Sequence, residues 1–461
     1  MQSDRTRVLI DSIRRLLRRG ATSHLSKIVN KTHAADLSIV FRSLSHSQQQ
    51  ALFNMIQDTE QKGMLLGELD EDTAVDLIED MKIEDIVEIL ESMPNDDVAD
   101  LLGRLPEDMS QAILEKMKRD ESQEVEDLLR YEDDTAGGIM VPDFIALKEY
   151  VTAKEAIDSL QKEHLEVEMA FYLYVIDDYG KLVGVSSLRQ LVVVPPETPL
   201  KDFMTTDVFS VQTDMDQEEV AKIVARYDIL AVPVVDESHS LVGIVTVDDV
   251  IDIFRREATE DILKMAGAGE EFVETKSVLK STRIRLPWLF ASCIGGIIAF
   301  FIIGAYESSL YKMAYLAAFI PVIMGMGGNI GTQSSTIVVR GLATGRINLR
   351  DFWAVVIKEL AIGFILGLIY GLLIGSVAQL YGLLSGSVAQ FRYSIEALAI
   401  SVALAILSSM SIAALVGSLV PMSFAKINID PAVATGPFVT TAIDIISVFF
   451  YFLIATTLLG I

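Results

Sequence analysis

The sequence is poor in the residues that disulfide-bonded and zinc-binding proteins use. Its single cysteine, Cys293, lies within an apolar run, so the chain has neither a disulfide framework nor a thiolate zinc site. The N-terminus is polar and basic and has no apolar core of the kind found in a signal peptide. We therefore expect the N-terminal half to stay in the cytosol.

Signatures of catalysis and of nucleic-acid binding are also missing. The sequence has no P-loop, no paired nucleophile and base, and no histidine or cysteine metal cluster, so we predict that the protein is not an enzyme. Acidic residues outnumber basic residues by 64 to 38. A surface of that charge repels phosphate backbones, so we expect no nucleic acid as a partner and expect cations instead.

The acidic charge is confined to one half of the chain. Residues 1–285 hold 58 of the acids and 31 of the bases, whereas the rest holds six acids and seven bases. Hydrophobic residues nevertheless make up 51% of the chain. An acidic soluble half therefore precedes an apolar half.

The apolar half predicts five membrane-spanning helices, because a bilayer core of about 30 Å needs roughly 20 apolar helical residues. The runs lie near 286–306, 313–338, 353–378, 394–420 and 431–460. Basic residues favour one set of connections, which predicts a cytoplasmic N-terminal half and, with an odd number of spans, a C-terminus outside. Glycines repeat every four residues in the third run from Gly363 to Gly375, and we favour helix packing as their role.

The second run carries polar residues at membrane depth. Its proline and glycines predict a broken helix that is buried in protein or lines a cavity. These residues are Pro321, Gly325, Gly327, Gly328 and Gly331. Beyond them, Asn329, Gln333, Thr336 and Arg340 share one helical face. That face suits the water shell of a hydrated ion, and hydrogen bonding between helices explains it equally well.

The fifth run contains Asp444 near its middle, with Thr440 and Ser447 on the same face. A carboxylate at that depth is costly and is normally kept for a function. We therefore favour an ion site over a buried pair with Lys358 or Glu359.

Two prolines lie near the start of the fifth run. Asp430 and Pro431 suit an N-cap followed by a proline in the first turn of the helix. Gly436 and Pro437 predict a break about two turns before Asp444.

The soluble half contains two kinds of repeat. Residues 173–191 align without gaps to residues 232–250, and each copy predicts a strand, a turn, a second strand and the start of a helix. Two such units form a paired module whose interface could bind a ligand. Residues 70–120 repeat every twelve residues, which predicts short stacked helices with turns at Pro94 and Pro106.

Acidic runs recur along the soluble half. They lie at 68–72, 96–100, 214–219, 248–252 and 257–261. A solvated face explains any single run. Runs that pack together would repel one another unless divalent cations bridge them, and carboxylates without histidine or cysteine select hard ions such as Mg²⁺, Ca²⁺ or Mn²⁺.

The longer repeat resembles a tandem pair of CBS domains, which often bind adenine nucleotides between the copies. The family's phosphate and ribose contacts match Gly243, Thr246 and Asp249 in the second copy. The first copy has Gln190 where the family has the aspartate. The resemblance therefore implies ATP as a ligand of the pair, with the motif complete only in the second copy.

The whole chain resembles the MgtE family of magnesium channels. The motifs that carry the resemblance are PVIMGMGGNIGTQSSTIVVR (321–340), DPAVATGPFVTTAID (430–444) and VTVDDVIDIFRREATEDI (245–262). Thr332 departs from the family, in which many members have asparagine before the glutamine. The implied fold is a multi-domain membrane protein: an all-α N-terminal superhelix (1–136), a tandem α/β CBS pair (137–200 and 201–256), a linking or plug helix (257–284) and a transmembrane domain of five helices (285–461).

The resemblance implies a homodimer in the plasma membrane that takes up Mg²⁺ through a pore on its twofold axis. Asp444 is then the principal pore site, with Asn329 and Thr336 as outer contacts of a hydrated ion. The implied regulatory Mg²⁺ ligands are Asp97, Asp100, Asp216, Glu218, Asp228, Asp249, Asp252, Glu257, Glu260, Asp261 and Asp430. High cytosolic Mg²⁺ would join these acidic faces and close the pore, and repulsion would reopen it when Mg²⁺ falls.

Two other hypotheses stay open. A divalent-cation exporter coupled to Na⁺ or H⁺ would depend on a second ion gradient. A membrane-anchored nucleotide or metal sensor would need its spans only for attachment, and Asp444 argues against it because an anchor needs no carboxylate at that depth.

Overall fold

The computed structural model describes residues 2–162, 171–268, 278–312, 315–384, 395–433 and 436–460. The chain divides into two compact units, Met1–Arg255 and Arg256–Ile461. Parts of two predicted segments, 163–170 in the first CBS copy and 269–277 in the linking helix, lie outside the described residues.

The first unit begins with a series of mostly short helices. They are α1 (Gln2–Arg19), α2 (Thr22–Val29), α3 (Ala34–Arg42), α4 (His46–Phe53), α5 (Thr59–Gly67), α6 (Glu71–Ile78), α7 (Ile83–Leu90), α8 (Asn95–Arg104), α9 (Glu107–Leu114) and α10 (Arg119–Leu128). Each helix packs against the helix two places further along the chain. Helices of this length are marginal alone, so packing of their apolar faces must stabilise them.

The twelve-residue period is confirmed and extends further than predicted. From α6 to α10 each helix begins twelve residues after the previous one, and the spacing continues upstream to α2 within one residue. Pro94 and Pro106 occupy the N-cap positions of α8 and α9, as the turns predicted. The recurring apolar residues form the core, since Ile86, Leu90 and Leu102 are almost fully buried.

Two copies of a small α/β unit follow. The first contains β1 (Ala146–Lys148), α11 (Ala153–Lys162), β2 (Tyr172–Ile176), β3 (Leu182–Ser187) and α12 (Leu188–Val193). The second contains β4 (Val211–Gln212), α13 (Gln217–Tyr227), β5 (Ala231–Val235), β6 (Leu241–Thr246) and α14 (Val247–Met265). In each sheet the first pair of strands is parallel and the second pair antiparallel, so the predicted repeat is confirmed.

A buried cluster joins the two copies. Val141 and Tyr174 pack with Ala231 and Ile244 of the second copy. The backbone N–H of Val141 donates to the carbonyl of Ile244 at 2.7 Å. The copies therefore share one interface, as expected for a paired module.

The second unit is helical in its described parts. It contains α15 (Val278–Ala305), α16 (Glu307–Lys312), α17 (Tyr315–Ala343), α18 (Phe352–Leu384), α19 (Ile395–Lys426) and α20 (Gly436–Leu459). Five of these helices are long and apolar enough to cross a membrane, which agrees with the predicted number. Helix α19 is central, because α17, α18 and α20 all pack against it.

The glycine stripe of α18 packs against α19, as expected. A Cβ on Gly367 would lie 3.0 Å from the Cα of Leu407, and a Cβ on Gly375 would lie 3.0 Å from the carbonyl oxygen of Ala399. The missing side chains therefore let the two helix backbones approach closely.

The predicted break in the second span is wrong, because helix α17 runs without interruption through Pro321. In the fifth span, α20 begins at Gly436, later than the predicted start near 431, and Pro437 lies in its first turn. Asp430 precedes that helix by six residues and accepts a hydrogen bond from the N–H of Ala432 at 2.8 Å, so it is not an N-cap. Gly327 and Gly331 serve close packing instead: a Cβ on Gly327 would lie 2.6 Å from Ser409 Oγ.

Candidate ion pathway and acidic clusters

Asp444 projects from α20 toward a gap in the side chains of α17. A Cβ on Gly328 would lie 3.8 Å from Asp444 Oδ1, so the glycine leaves space beside the carboxylate. Among the described residues, Asp444 has no hydrogen bond or ion pair. The rival pairing does not form, because Glu359 accepts a hydrogen bond from Ser334 Oγ at 2.8 Å and Lys358 is exposed.

The predicted polar face of α17 is present. Asn329, Gln333, Thr336 and Arg340 are all exposed along one side of the helix. Thr332 adds to this side, where its Oγ1 lies 3.4 Å from Thr440 Oγ1 of α20. Among the described residues of the chain, Asn329, Gln333, Thr336 and Arg340 make no hydrogen bonds to neighbouring helices. Hydrogen bonding between helices of a single chain therefore does not account for this polar face.

Ser447, which was predicted to share a helical face with Asp444, is bonded to a neighbouring helix. Its hydroxyl is buried and lies 2.7 Å from Ser409 Oγ of α19. Gly327 makes room for this contact, since a Cβ there would lie 2.8 Å from Ser447 Oγ. Thr440, by contrast, lies near the same glycine as Asp444, since a Cβ on Gly328 would lie 3.5 Å from Thr440 Cγ2.

Three predicted acidic runs come together around Asp97. Burial, followed by the charges of Asp249 and Glu68, raises the pKa of Asp97 to about 6. Burial also raises the pKa of Asp249, whose Oδ2 accepts a hydrogen bond from Thr246 Oγ1 at 2.5 Å. Gly67 lets Asp97 fit, because a Cβ there would lie 2.6 Å from Asp97 Oδ2. This is a cluster of carboxylates whose repulsion a divalent cation would relieve.

The other predicted ligands of the first unit have local structural roles or lie at the surface. Asp216 caps α13 by accepting from the N–H of Glu218 at 2.8 Å, and Glu218 pairs with Lys222 at 3.1 Å. Asp228 ends α13 with a left-handed φ of 52°. Asp252 pairs with Arg255 at 3.3 Å, and Asp100 is exposed on α8.

Lys264 links two predicted ligands of the second unit. Its Nζ donates to Asp430 Oδ2 at 2.7 Å and also pairs with Glu260, one turn earlier on α14. Burial lowers the pKa of Lys264, but these two carboxylates outweigh it and raise the pKa above its usual value. Glu257 and Asp261 lie on the same helix and are partly buried. Sequence reasoning missed Lys264: its spacing from Glu260 signals a helical pair, but nothing local signals Asp430.

The described residues contain no group of three or more histidine, cysteine or acidic side chains arranged to hold a metal ion. Within a single chain, the predicted regulatory ligands therefore occur as pairs and small clusters. A complete coordination shell would require waters, a change in conformation or a second copy.

The predicted nucleotide motif lies where β6 meets α14. Gly243 packs against Met140, whose Sδ would be 2.6 Å from a Cβ at that position. Thr246 and Asp249 are hydrogen-bonded to each other. In the first copy, Ser187 and Gln190 form a capping box at the start of α12, with Ser187 N donating to Gln190 Oε1 at 2.9 Å. Gln190 thus replaces the local helix-start contact of Asp249 but not its charge.

Family models match most of the chain. Residues 32–134 match the MgtE intracellular N domain, 136–197 and 200–256 match the CBS domain, and 320–454 match the MgtE divalent cation transporter domain. The protein named magnesium transporter MgtE from Thermus thermophilus is 38% identical over 340 residues, which cover 73% of this chain and 72% of that protein. The Bacillus subtilis protein of the same name is 37% identical over 333 residues, which cover 72% of this chain and 71% of that protein.

The soluble part resembles solved structures, among them a cytosolic domain. The crystal structure of the cytosolic domain of the Mg²⁺ channel MgtE in complex with ATP matches 53% of this chain and 99% of its own, with 35% identity and a TM-score of 0.50.

Proposed function

Because this chain belongs to the MgtE family of divalent cation transporters, we propose that it carries Mg²⁺ across the plasma membrane through the unit formed by α15 to α20. The main support for this pathway is Asp444, whose carboxylate lies at membrane depth and has no partner among the described residues. It lies beside Gly328 and next to the exposed polar face of α17. Mg²⁺ loses water reluctantly, so a carboxylate with hydroxyl and amide neighbours suits a hydrated ion.

The exposed polar face supports a homodimer. Hydrocarbon cannot satisfy Asn329, Gln333 and Thr336, so a second copy or water must cover them. A twofold axis along this face brings two Asp444 carboxylates to one ion, with Asn329 and Thr336 as contacts to its water shell. The soluble half then lies in the cytoplasm and the C-terminus outside.

We further propose that cytosolic Mg²⁺ closes the pathway. The repulsion among Asp97, Asp249 and Glu68 gives a divalent cation a place to bind, and it resists close packing when the cation is absent. The remaining predicted ligands, from Asp216 to Asp430, act as partial sites that closure completes. A ligand shifts this equilibrium only by binding the closed form more tightly, which sites completed on closure provide.

ATP is the proposed ligand of the CBS pair. The relative solved with ATP covers this region at 35% identity. Gly243, Thr246 and Asp249 form the complete motif in the second copy, so we place the nucleotide there. Asp249 also belongs to the acidic cluster with Asp97, which would couple nucleotide binding to Mg²⁺ binding.

Mg²⁺ flux into proteoliposomes tests the pathway. We expect flux in the wild type, flux at background level in Asp444→Asn because the ion loses its carboxylate, and normal flux in Asp351→Asn. Asp351 is the control because it is an exposed acid outside the long helices. Normal flux in Asp444→Asn would remove this site, and flux that requires a Na⁺ or H⁺ gradient would favour coupled transport.

The same vesicles test closure. Mg²⁺ on the side of the soluble half is raised from micromolar to millimolar concentration in protein of known orientation. Flux that falls as this Mg²⁺ rises is the expected result. Flux that ignores it would leave the pathway intact and contradict the regulatory proposal.

A further inference from the structure

The back of α17 carries a buried polar pair that the proposed ion pathway does not use. Ser334 is 1% exposed and Glu359 of α18 is 5% exposed. Ser334 Oγ donates to Glu359 Oε2 at 2.8 Å. An acid buried in a membrane helix is costly and is normally kept for a function.

This pair lies opposite the polar face of α17. An α-helix turns by about 100° per residue, so Ser334 points roughly 160° away from both Thr332 and Thr336, which lie two residues to either side. The burial agrees, because Thr332 and Thr336 are exposed and Ser334 is buried. A bond at Ser334 therefore fixes which way the polar face points.

Other hydrogen bonds also orient α17: Tyr451 Oη donates to the carbonyl of Leu316 at 2.8 Å, and Ser409 Oγ donates to the carbonyl of Ile323 at 3.3 Å. Both use backbone carbonyls in the N-terminal part of the helix, whereas Ser334 lies further along it, as does Thr332, whose Oγ1 lies 3.4 Å from Thr440 Oγ1.

Gly327 and Gly331 lie at the contacts of α17 with α19 and α20, where missing side chains allow close approach but give no directional bond. Helices α17 and α18 pack mainly against α19 rather than against each other. The hydrogen bond from Ser334 to Glu359 is thus a direct tie between them.

A second buried hydroxyl that could take the place of Ser334 beside Glu359 lies one residue further along α17. Ser335 is 1% exposed, and its Oγ has no hydrogen-bond partner among the described residues. Rotating α17 by about 100° would exchange Ser335 for Ser334 and turn the polar face away from Asp444.

We propose that Glu359 is a positioning residue for ion permeation: through Ser334 it holds α17 at the rotation that places Thr332 and Thr336 beside Asp444. The inference rests on the proposed function. Glu359 contacts no ion in this role and acts only through its oxygen atoms as hydrogen-bond acceptors.

Flux measurements on four single variants and one double variant test this role. Loss of a buried hydrogen bond to an acidic group should lower Mg²⁺ flux about tenfold in Ser334→Ala and in Glu359→Ala. Glu359→Gln keeps an acceptor for Ser334 and should restore flux to near the wild-type level. Ser335→Ala is the matched control, since it removes a neighbouring buried hydroxyl that has no partner. The double variant S334A/E359A should be no worse than the weaker single variant, because both remove the same bond.

Two results would overturn the proposal. Flux lost as completely in Glu359→Gln as in Glu359→Ala would mean that the carboxylate charge itself is required. Unchanged flux in both Ser334→Ala and Glu359→Ala would mean that the tie does not position α17. Only variants that elute as the wild type does on gel filtration are compared, and Ser334→Ala, the smaller change, decides if Glu359→Ala does not fold.

A second readout does not depend on flux. In a Cys293→Ser background, Thr332→Cys reports the orientation of α17 through its rate of reaction with a charged thiol reagent. Adding Ser334→Ala or Glu359→Ala should change that rate severalfold, and adding Ser335→Ala should not. A wild type without flux would defeat the proposed function, while this rate would still test the tie; an unchanged rate in all variants would overturn the tie itself.

Discussion

Asp97 shows how burial and neighbouring acids disfavour the charged form of a carboxylate in the acidic half. Its pKa is raised from 3.8 to about 6 by burial and by Asp249 and Glu68. Because the folded form holds the proton more tightly than the unfolded form, stability is greatest below the unfolded pKa. It falls as the pH rises through the folded pKa and stays low above it.

Replacing Asp97 with asparagine should therefore stabilise the protein at neutral pH without Mg²⁺. The neutral amide avoids the buried charge, and the expected gain in the free energy of unfolding is roughly 1–3 kcal/mol at pH 7.5. The gain should vanish near pH 4, where Asp97 is itself protonated. Thermal unfolding of the full-length protein followed by circular dichroism, with a chelator present, measures both values.

Asp108→Asn is the control for this experiment. Asp108 also lies in the first turn of a helix of the same domain, but it is exposed. Its loss should change the melting temperature little and in the unfavourable direction, since it removes an acid at a helix N-terminus. Equal effects of Asp97→Asn and Asp108→Asn would contradict the burial argument.

The site residues could be predicted from sequence only where one residue carries the signal. Asp444 could be singled out because a lone acid in an apolar run is unusual in itself. The electrostatic repulsion between Asp97 and Asp249 and the hydrogen bond from Ser334 to Glu359 both involve residues that are separated along the chain. Each partner alone resembles a solvated acid or a residue near a helix start, so only tertiary structure reveals the pairs.

Among the helices and strands, repeating patterns of apolar residues predicted the structure well, whereas single prolines and glycines predicted it poorly. The twelve-residue period and the repeat of strands describe helices and sheets that form as expected, because the apolar spacing fixes the buried faces. Proline and glycine signals failed inside the membrane helices. Pro321 is tolerated within α17, and Gly327 and Gly331 provide contact surface for α19 and α20.

Gly327 and Gly325 allow a test of this packing within one helix. A Cβ on Gly327 meets Ser409 and Ser447, whereas a Cβ on Gly325 meets nothing within 4 Å. Gly327→Ala should lower the free energy of unfolding by about 1–3 kcal/mol through overpacking. Gly325→Ala should be neutral or gain up to about 1 kcal/mol from helix propensity. Both tryptophans, Trp288 and Trp353, lie on helices of this unit, so their fluorescence reports its thermal unfolding. Equal losses in the two variants would show that α17 is not closely packed at Gly327.

For the whole molecule, the uneven charge matters more than its total. The net charge is −26, and the apolar half contributes almost none of it. Mobile ions of any kind screen such charge, but only ions that bind at specific carboxylates stabilise a folded arrangement by mass action. The two effects can be separated because screening depends on ionic strength alone.

Mg²⁺ should therefore raise the melting temperature of the full-length protein more than Na⁺ does at equal ionic strength. We expect the excess to grow with concentration up to about 10 mM MgCl₂, because binding to the folded form contributes RT ln(1 + [L]/Kd). The excess should shrink in Asp97→Asn, which removes one carboxylate of the cluster with Asp249 and Glu68. Thermal unfolding in MgCl₂ and in NaCl of matched ionic strength gives the comparison, and Asp108→Asn again serves as the control. Identical curves in the two salts would show that Mg²⁺ acts only by screening the acidic surface. An excess that is unchanged in Asp97→Asn would show that the ion binds away from this cluster.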